Sequence, residues 1–378
     1  MKYMGSKRAM LQNGLGTLLK REAAKSERVI DLFCGAASVS WFAAQHFDKP
    51  VHAFDLQSYS VALASAVLGR TRPDQCVEAV REWIAIVENV RTQFPRWNEA
   101  YRLDSSGLNT ASWSFRAKSI CAEPVKECIV WSSYGGHYFS PTQALTFDAM
   151  LRALPKEEPA ANLCRAIAII AASQCAASPG HTAQPFKANH TAGPYLREAW
   201  KRCPIAYAQK AMKAVGRTVA RVKGNAQVAD AVDIAGKLQP NDLVFVDPPY
   251  SGVHYSRFYH VLETIARGAC GTVSGIGRYP PPHERPASSF SRRGESVAAF
   301  SQLLKRLSSS GCTVILTFPA NKCSNGLSGE VVLEQAGKTF TVAQKTVKTR
   351  FSTLGGNNAN RDARQCASEM ILLLKPKN

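Results

Sequence analysis

The 378-residue sequence has no Cys-x-x-Cys pair, and none of its eleven cysteines forms a close cluster with histidine. That excludes a zinc ribbon and a dithiol redox centre, and no metal site is expected. The odd cysteine count, and the core-like surroundings of Cys34 and Cys312, suit free thiols in a reducing cytosol. Long apolar runs are missing as well. Residues 166–172, the most apolar stretch, are too few to cross a bilayer and read as a buried Ala-rich helix. Residues 1–10 are polar and basic, unlike a secretion signal. These points together predict a cytoplasmic protein. Acid is scarce: 28 Asp and Glu stand against 47 Lys and Arg, giving a net charge of +19. That surplus favours a polyanionic partner, because neutralising phosphates releases counterions. No strongly amphipathic basic helix offers itself to an anionic membrane, so nucleic acid leads.

What is present is enough for a packed core. Apolar residues make up 45% and charged residues only 20%, which is not a disordered composition. The length fits one large or two ordinary domains.

Residues 243–250 read Leu-Val-Phe-Val-Asp-Pro-Pro-Tyr. The apolar run is short and rich in β-formers, so it reads as a buried parallel strand. Pro248 and Pro249 cannot continue a ladder, which makes Asp247–Tyr250 a rigid tip at the strand's carboxyl end. In open α/β sheets ligands bind at such ends. A carboxylate, a ring and unpaired carbonyls can grip a flat, hydrogen-bonding object such as a nucleobase. Alone, the same four residues also read as a surface turn.

Residues 28–33 form another strand candidate. The small-residue turn Cys34-Gly35-Ala36-Ala37-Ser38 follows, then a helical run over 39–45. Strand, tight turn and helix begin a nucleotide-binding βα unit. A further strand over 50–54 ends in Asp55, 20 residues past Gly35, the spacing at which an acid can accept from ribose hydroxyls. Asp55 also reads as a helix N-cap. Near the start, Lys7 lies in a basic, small-residue segment that can feed a helix or remain a floppy arm.

From about residue 70 the alternation stops. Helical patterns cover 74–94, 141–154, 160–177 and 195–221, with aromatic and basic residues between them. This predicts an inserted, mainly helical region over 71–224 between two sheet-forming parts, 1–70 and 225–378. Trp113, Trp131, Tyr134 and Tyr138 read as core rather than stacking platforms. In the second part, a short strand or turn is expected over 226–232, and strands over 312–318, 331–334, 340–350 and 370–374. An Arg-rich loop is expected over 270–296 and a Gly/Asn-rich loop over 354–364. The fold class is therefore α/β, a Rossmann-like doubly wound sheet with a helical insertion.

In this order the motifs resemble those of the Dam-type, alpha-group DNA adenine-N6 methyltransferases. Lys2–Lys7 is similar to the family's opening Lys-aromatic-x-Gly-small-Lys motif, which includes Tyr3. The stretch from Asp31 through Phe33 and Gly35 to Ser38 is similar to its Phe-x-Gly-x-Gly motif. Asp55 resembles its ribose acid and Asp230 the acid near the cofactor adenine, while Asp247, Pro248, Pro249 and Tyr250 resemble its catalytic motif. Residues 355–361 and 370–376 resemble its closing loop and strand. The match covers both ends of the chain; residues 70–224 match weakly, as expected of a target-recognition region.

The resemblance implies S-adenosyl-L-methionine as methyl donor and transfer to the exocyclic N6 amine of a flipped adenine in a specific double-stranded DNA sequence. It implies Tyr3, Lys7, Asp31, Phe33, Gly35, Asp55 and Asp230 at the cofactor, with Lys7 near its carboxylate. It implies Asp247, Pro248, Pro249 and Tyr250 at the amine, and Tyr255, Arg257 and Phe258 at the DNA. Ala37 departs from the family, which has Gly there, and Ala tolerates positive φ poorly. Two alternatives stay open: a catalytically decayed DNA-binding protein on the same fold, and the same chemistry on RNA or on cytosine N4. A cognate restriction or phage-defence system and the oligomeric state are also left open.

Overall fold

The computed structural model describes residues 7–352 and 364–377. Tyr3 and most of the 354–364 loop lie outside the described residues. The chain divides into two compact units. Arg72–Thr218 and Ser256–Pro286 form a helical unit, and the remaining described residues form a sheet unit. Residues 256–286, which strand–helix alternation groups with the sheet, cluster with the helices.

The sheet unit holds seven strands among the described residues: β1 (Arg28–Asp31), β2 (Val51–Asp55), β3 (Asn225–Val228), β4 (Asp242–Val246), β5 (Thr313–Pro319), β6 (Phe340–Ser352) and β7 (Arg364–Pro376). Their order is β3-β2-β1-β4-β5-β7-β6. The first five in this order are parallel, and β7 runs antiparallel to both neighbours. This is the doubly wound, Rossmann-like order expected from the sequence. β4 is buried at every position, which explains its unbroken Leu-Val-Phe-Val run. Edge strand β3 is mostly exposed, which explains its polar sequence.

One expected strand is a helix. Residues 331–334 lie inside Gly329–Thr339, whose first turn is capped when the Val331 N–H donates to the Ser328 hydroxyl at 3.2 Å. The buried residues Val332 and Ala336 are four apart, a helical spacing that a four-residue apolar window cannot show. Helix Ser38–His46 links β1 to β2, and Ser58–Leu68 follows β2. The core gathers Ile30, Val244, Leu316 and Leu372 from the strands with Phe300 and Leu304 from helix Ser296–Ser309.

In the helical unit, residues 166–172 belong to helix Ala160–Cys175, which is buried on nearly every side, so its alanines permit close packing. Trp113, Trp131, Tyr134 and Tyr138 are buried, as core aromatics should be, whereas Tyr101 is exposed. The buried Asp148 carboxylate accepts from the N–H groups of Val130 and Trp131, both at 2.8 Å, and so starts helix Ile129–Tyr134.

β1 carries a charge at each end. Arg28 lies opposite Asp242 in the register and donates to it through Nε and Nη2, both at 2.7 Å. Asp242 is buried and also accepts from the Gln239 N–H. At the other end Asp31 is buried and accepts from Ser40 Oγ at 2.5 Å; its Oδ1 has no hydrogen-bond partner among the described residues. Burial pushes the Asp31 carboxyl up to about 7, against the hydrogen bonds from Ser40 and the Phe33 backbone and with smaller help from Asp247 and Asp55.

Two outcomes are expected. Asp242→Ala should destabilise the sheet unit by about 2 kcal/mol, because charge-assisted bonds to the half-exposed Arg28 and the Gln239 amide are lost; the denaturant midpoint measures this. The folded chain holds the Asp31 proton more tightly than the unfolded chain does. The stability it contributes is therefore complete below the unfolded value of about 4 and is lost as pH rises through the folded value. The fall in unfolding midpoint between about pH 4 and about pH 8 should be shallower in Asp31→Asn than in the wild type.

Candidate active site

The chain builds β1, β2 and β3 outward in one direction, then returns to β4 and builds outward in the other. The reversal falls between β1 and β4, and a crevice opens at the carboxyl ends of strands at such a switch point. On the β1 side, the Cys34 N–H donates to the Phe54 carbonyl at 3.0 Å and the Ala37 N–H to the Cys34 carbonyl at 2.7 Å. The turn needs left-handed backbone at two positions, Gly35 with φ +48° and Ala37 with φ +58°. The strain at Ala37, of order 1–2 kcal/mol, is accepted here. Helix Ser38–His46 starts directly from this turn with no side-chain cap. Phe33 meets Phe290 edge-on, with ring centroids 5.2 Å apart.

Asp55, at the end of β2, accepts from the Gly35 N–H at 2.9 Å and the Gln57 N–H at 3.0 Å. It therefore braces the β1 turn. Asp230 lies just past β3, next to Ala229, whose N–H donates to the Asp55 carbonyl at 3.1 Å. It caps the short helix Ala231–Ala235 by accepting from the Val232 N–H at 2.8 Å.

At the end of β4 the Asp-Pro-Pro-Tyr tip is pinned from three sides. Asn325, fully buried, donates from Nδ2 to the carbonyls of Pro249 and Phe290, each at 2.9 Å. The Gly252 N–H donates to Ser324 Oγ at 2.9 Å, and a Cβ on Gly252 would lie only 2.8 Å from the Ser324 carbonyl oxygen, so glycine is required there. Asp247 Oδ1 is held by Thr317 Oγ1 at 2.8 Å and by the Lys7 ammonium at 3.0 Å. Oδ2 of Asp247 and the Pro248 carbonyl receive no hydrogen bond among the described residues. Tyr250 packs on the sheet core and lies edge-on to Tyr255, with centroids 6.5 Å apart.

Lys7 is buried and pairs with both Asp247 and Glu369, and Glu369 is buried as well. Burial alone would lower the Lys7 pKa; the two carboxylates overcome this and hold it above its ordinary value. Burial raises the Glu369 carboxyl, against the pull of Lys7. Sequence reasoning missed Glu369, Thr317 and Asn325. Glu369 left one signal, an acid heading an apolar strand run; Thr317 and Asn325 left none.

In the helical unit, Arg257 is exposed with its guanidinium 4.7 Å from the centre of the Tyr279 ring. Phe258 is 5% exposed and packs against His181, so its ring serves the core of that unit. No group of three or more metal-binding side chains exists among the described residues, and no helix there is long and apolar enough to cross a membrane.

Residues 3–120 and 158–285 match the family described as D12 class N6 adenine-specific DNA methyltransferase. The chain is also 27% identical over 113 residues to the modification methylase StsI of Streptococcus sanguinis, a match covering 30% of this chain and 16% of that protein. The family match takes in both the turn that follows β1 and the tip that follows β4, across well over half of the sequence, and the chain belongs to the D12 class of N6 adenine-specific DNA methyltransferases.

Proposed function

We propose that this chain transfers a methyl group from S-adenosyl-L-methionine to the N6 amine of an adenine flipped out of a specific duplex DNA sequence, in the manner of the Dam-type enzymes it resembles. One observation carries the assignment of the acceptor site. Two oxygens on the rigid tip, Asp247 Oδ2 and the Pro248 carbonyl, are without hydrogen bonds among the described residues, while Asp247 Oδ1 is held by Thr317 and Lys7 and the Pro249 carbonyl by Asn325. An aromatic amine has two N–H bonds to give.

The cofactor fits the β1 side of the crevice. Asp31 keeps a buried, unpartnered oxygen there, and the left-handed turn at Gly35 and Ala37 brings backbone close to any ligand above it. S-adenosyl-L-methionine, when bound, supplies an electrophilic methyl group on a sulfonium. Asp55 is the candidate for its ribose. The backbone hydrogen bonds that close the turn despite Ala37 argue against a decayed cofactor site.

The residues of the tip then act by orientation and charge. Oδ2 of Asp247 and the Pro248 carbonyl accept the amine's two N–H bonds, which turns the nitrogen lone pair towards the cofactor side. The same two oxygens stabilise the positive charge that grows on nitrogen, and Oδ2 is placed to take the proton that nitrogen finally loses. Tyr250 offers a face to the extruded ring, offsetting part of the few kcal/mol that flipping costs. The surplus of 19 positive charges suits the phosphates of the duplex. The helical unit, with exposed Arg257, is the candidate reader of sequence.

Asp247→Asn should fold, bind S-adenosyl-L-methionine with near wild-type affinity and lose roughly 10³-fold or more of its methyl-transfer rate. Transfer of labelled methyl to unmodified genomic DNA, followed by nucleoside analysis, measures this. Label appearing as N4-methylcytosine, or only in RNA, would replace the adenine reading, and a folded wild-type chain that binds cofactor yet labels nothing would favour the decayed one.

A further inference from the structure

A buried lysine needs one counter-charge, and Asp247 provides it. The structure supplies a second. Glu369 reaches the same ammonium from β7, at the register position opposite Pro319, the residue that ends β5. All three ionic side chains are largely withdrawn from water. Adding another carboxylate to a dry pocket is costly, so a stabilising role alone accounts poorly for it.

We infer that Glu369 is a positioning residue for methyl transfer: it draws on the Lys7 charge so that Asp247 stays oriented by Lys7 without being neutralised by it. The inference rests on the proposed function and refines it.

The electrostatic argument runs through net charge. Lys7 and Asp247 alone make a neutral pair, and a paired carboxylate is a weak stabiliser of a cation forming nearby. With Glu369 the trio carries one net negative charge, which remains available at Asp247 Oδ2, the oxygen that faces no protein donor among the described residues. Oδ1 is meanwhile fixed by Lys7 and Thr317, so the carboxylate cannot rotate to present both oxygens. The field is preorganised before the substrate arrives, as is required of a group that stabilises a charge present only in the transition state. Lys7 is in consequence a partner of the catalytic acid rather than of the cofactor's carboxylate.

The test is a cycle of Glu369→Gln, Lys7→Met and the double variant, each assayed by single-turnover transfer of labelled methyl to unmodified genomic DNA and by calorimetric titration with S-adenosyl-L-methionine. Thermal unfolding confirms that each is folded. Glu369→Gln leaves the trio neutral and should slow transfer about 10- to 100-fold at nearly unchanged cofactor affinity. Lys7→Met leaves two buried carboxylates facing each other and should also be slow. The double variant restores a single negative charge at Asp247 and should be faster than either single variant, an order that a merely structural role would not produce. A double variant slower than both, or Glu369→Gln at the wild-type rate, overturns the inference. So does a Lys7→Met variant that transfers normally but binds cofactor tenfold more weakly, which would return Lys7 to the cofactor. A wild-type chain that binds cofactor and transfers no methyl group overturns the proposed function, and this inference with it.

Discussion

Everything at the site hangs from the pairing of β1 with β4. These strands lie side by side in the parallel part of the sheet, buried, at the point where the strand order reverses. Asp31 is level with Phe245, so the turn after β1 and the tip after β4 emerge at the same edge. A one-residue slip in that pairing would turn every side chain on β4 to the other face. The Arg28–Asp242 pair marks the other end of the same register. Strand pairing at one end of the sheet thus sets the separation of the two halves of the site at the other.

Rigidity is the second constraint, and it is supplied differently on the two sides. On the β4 side two prolines stiffen the backbone, and Asn325, Ser324, Thr317 and Lys7 fix it from outside. On the β1 side the turn is closed by its own backbone bonds and by Asp55. Ala37 can stand where glycine is expected because those bonds hold φ at +58°. Its methyl is wholly buried, so the strain is offset in part by packing.

The features legible in the sequence were those encoded by neighbours in the chain. β4 and its tip, the small-residue turn and Asp55 are local patterns, and the structure brings them to one edge. What was not legible depends on partners far apart in the chain. Glu369 is 362 residues from Lys7, and nothing in the apolar run of β7 announces which cation its acid will meet. The resemblance places Asp230 near the cofactor adenine, and the contact observed is its cap on helix Ala231–Ala235. Residues 331–334 show how a short window misleads: three consecutive apolar residues fit a strand, and only the continuation to Ala336 reveals the helical period. The resemblance implies both Arg257 and Phe258 at the DNA, but only Arg257 lies at the surface, while Phe258 is buried.

The local charge of the site opposes the charge of the whole chain, and the two serve different ends. The protein carries a surplus of 19 positive charges. The carboxyl edge of the sheet, by contrast, gathers four acids: Asp247 and Glu369 pair with Lys7, and Asp247 and Asp55 both raise the pKa of Asp31. A basic exterior attracts the phosphate backbone at long range. An acidic crevice repels those phosphates at short range while favouring a sulfonium and a cation forming on an amine. Under the proposed function, a duplex held by the basic exterior keeps its backbone outside the site, and a neutral, extruded base satisfies both fields. In that proposal the charge pattern favours base flipping before any side chain reads the sequence.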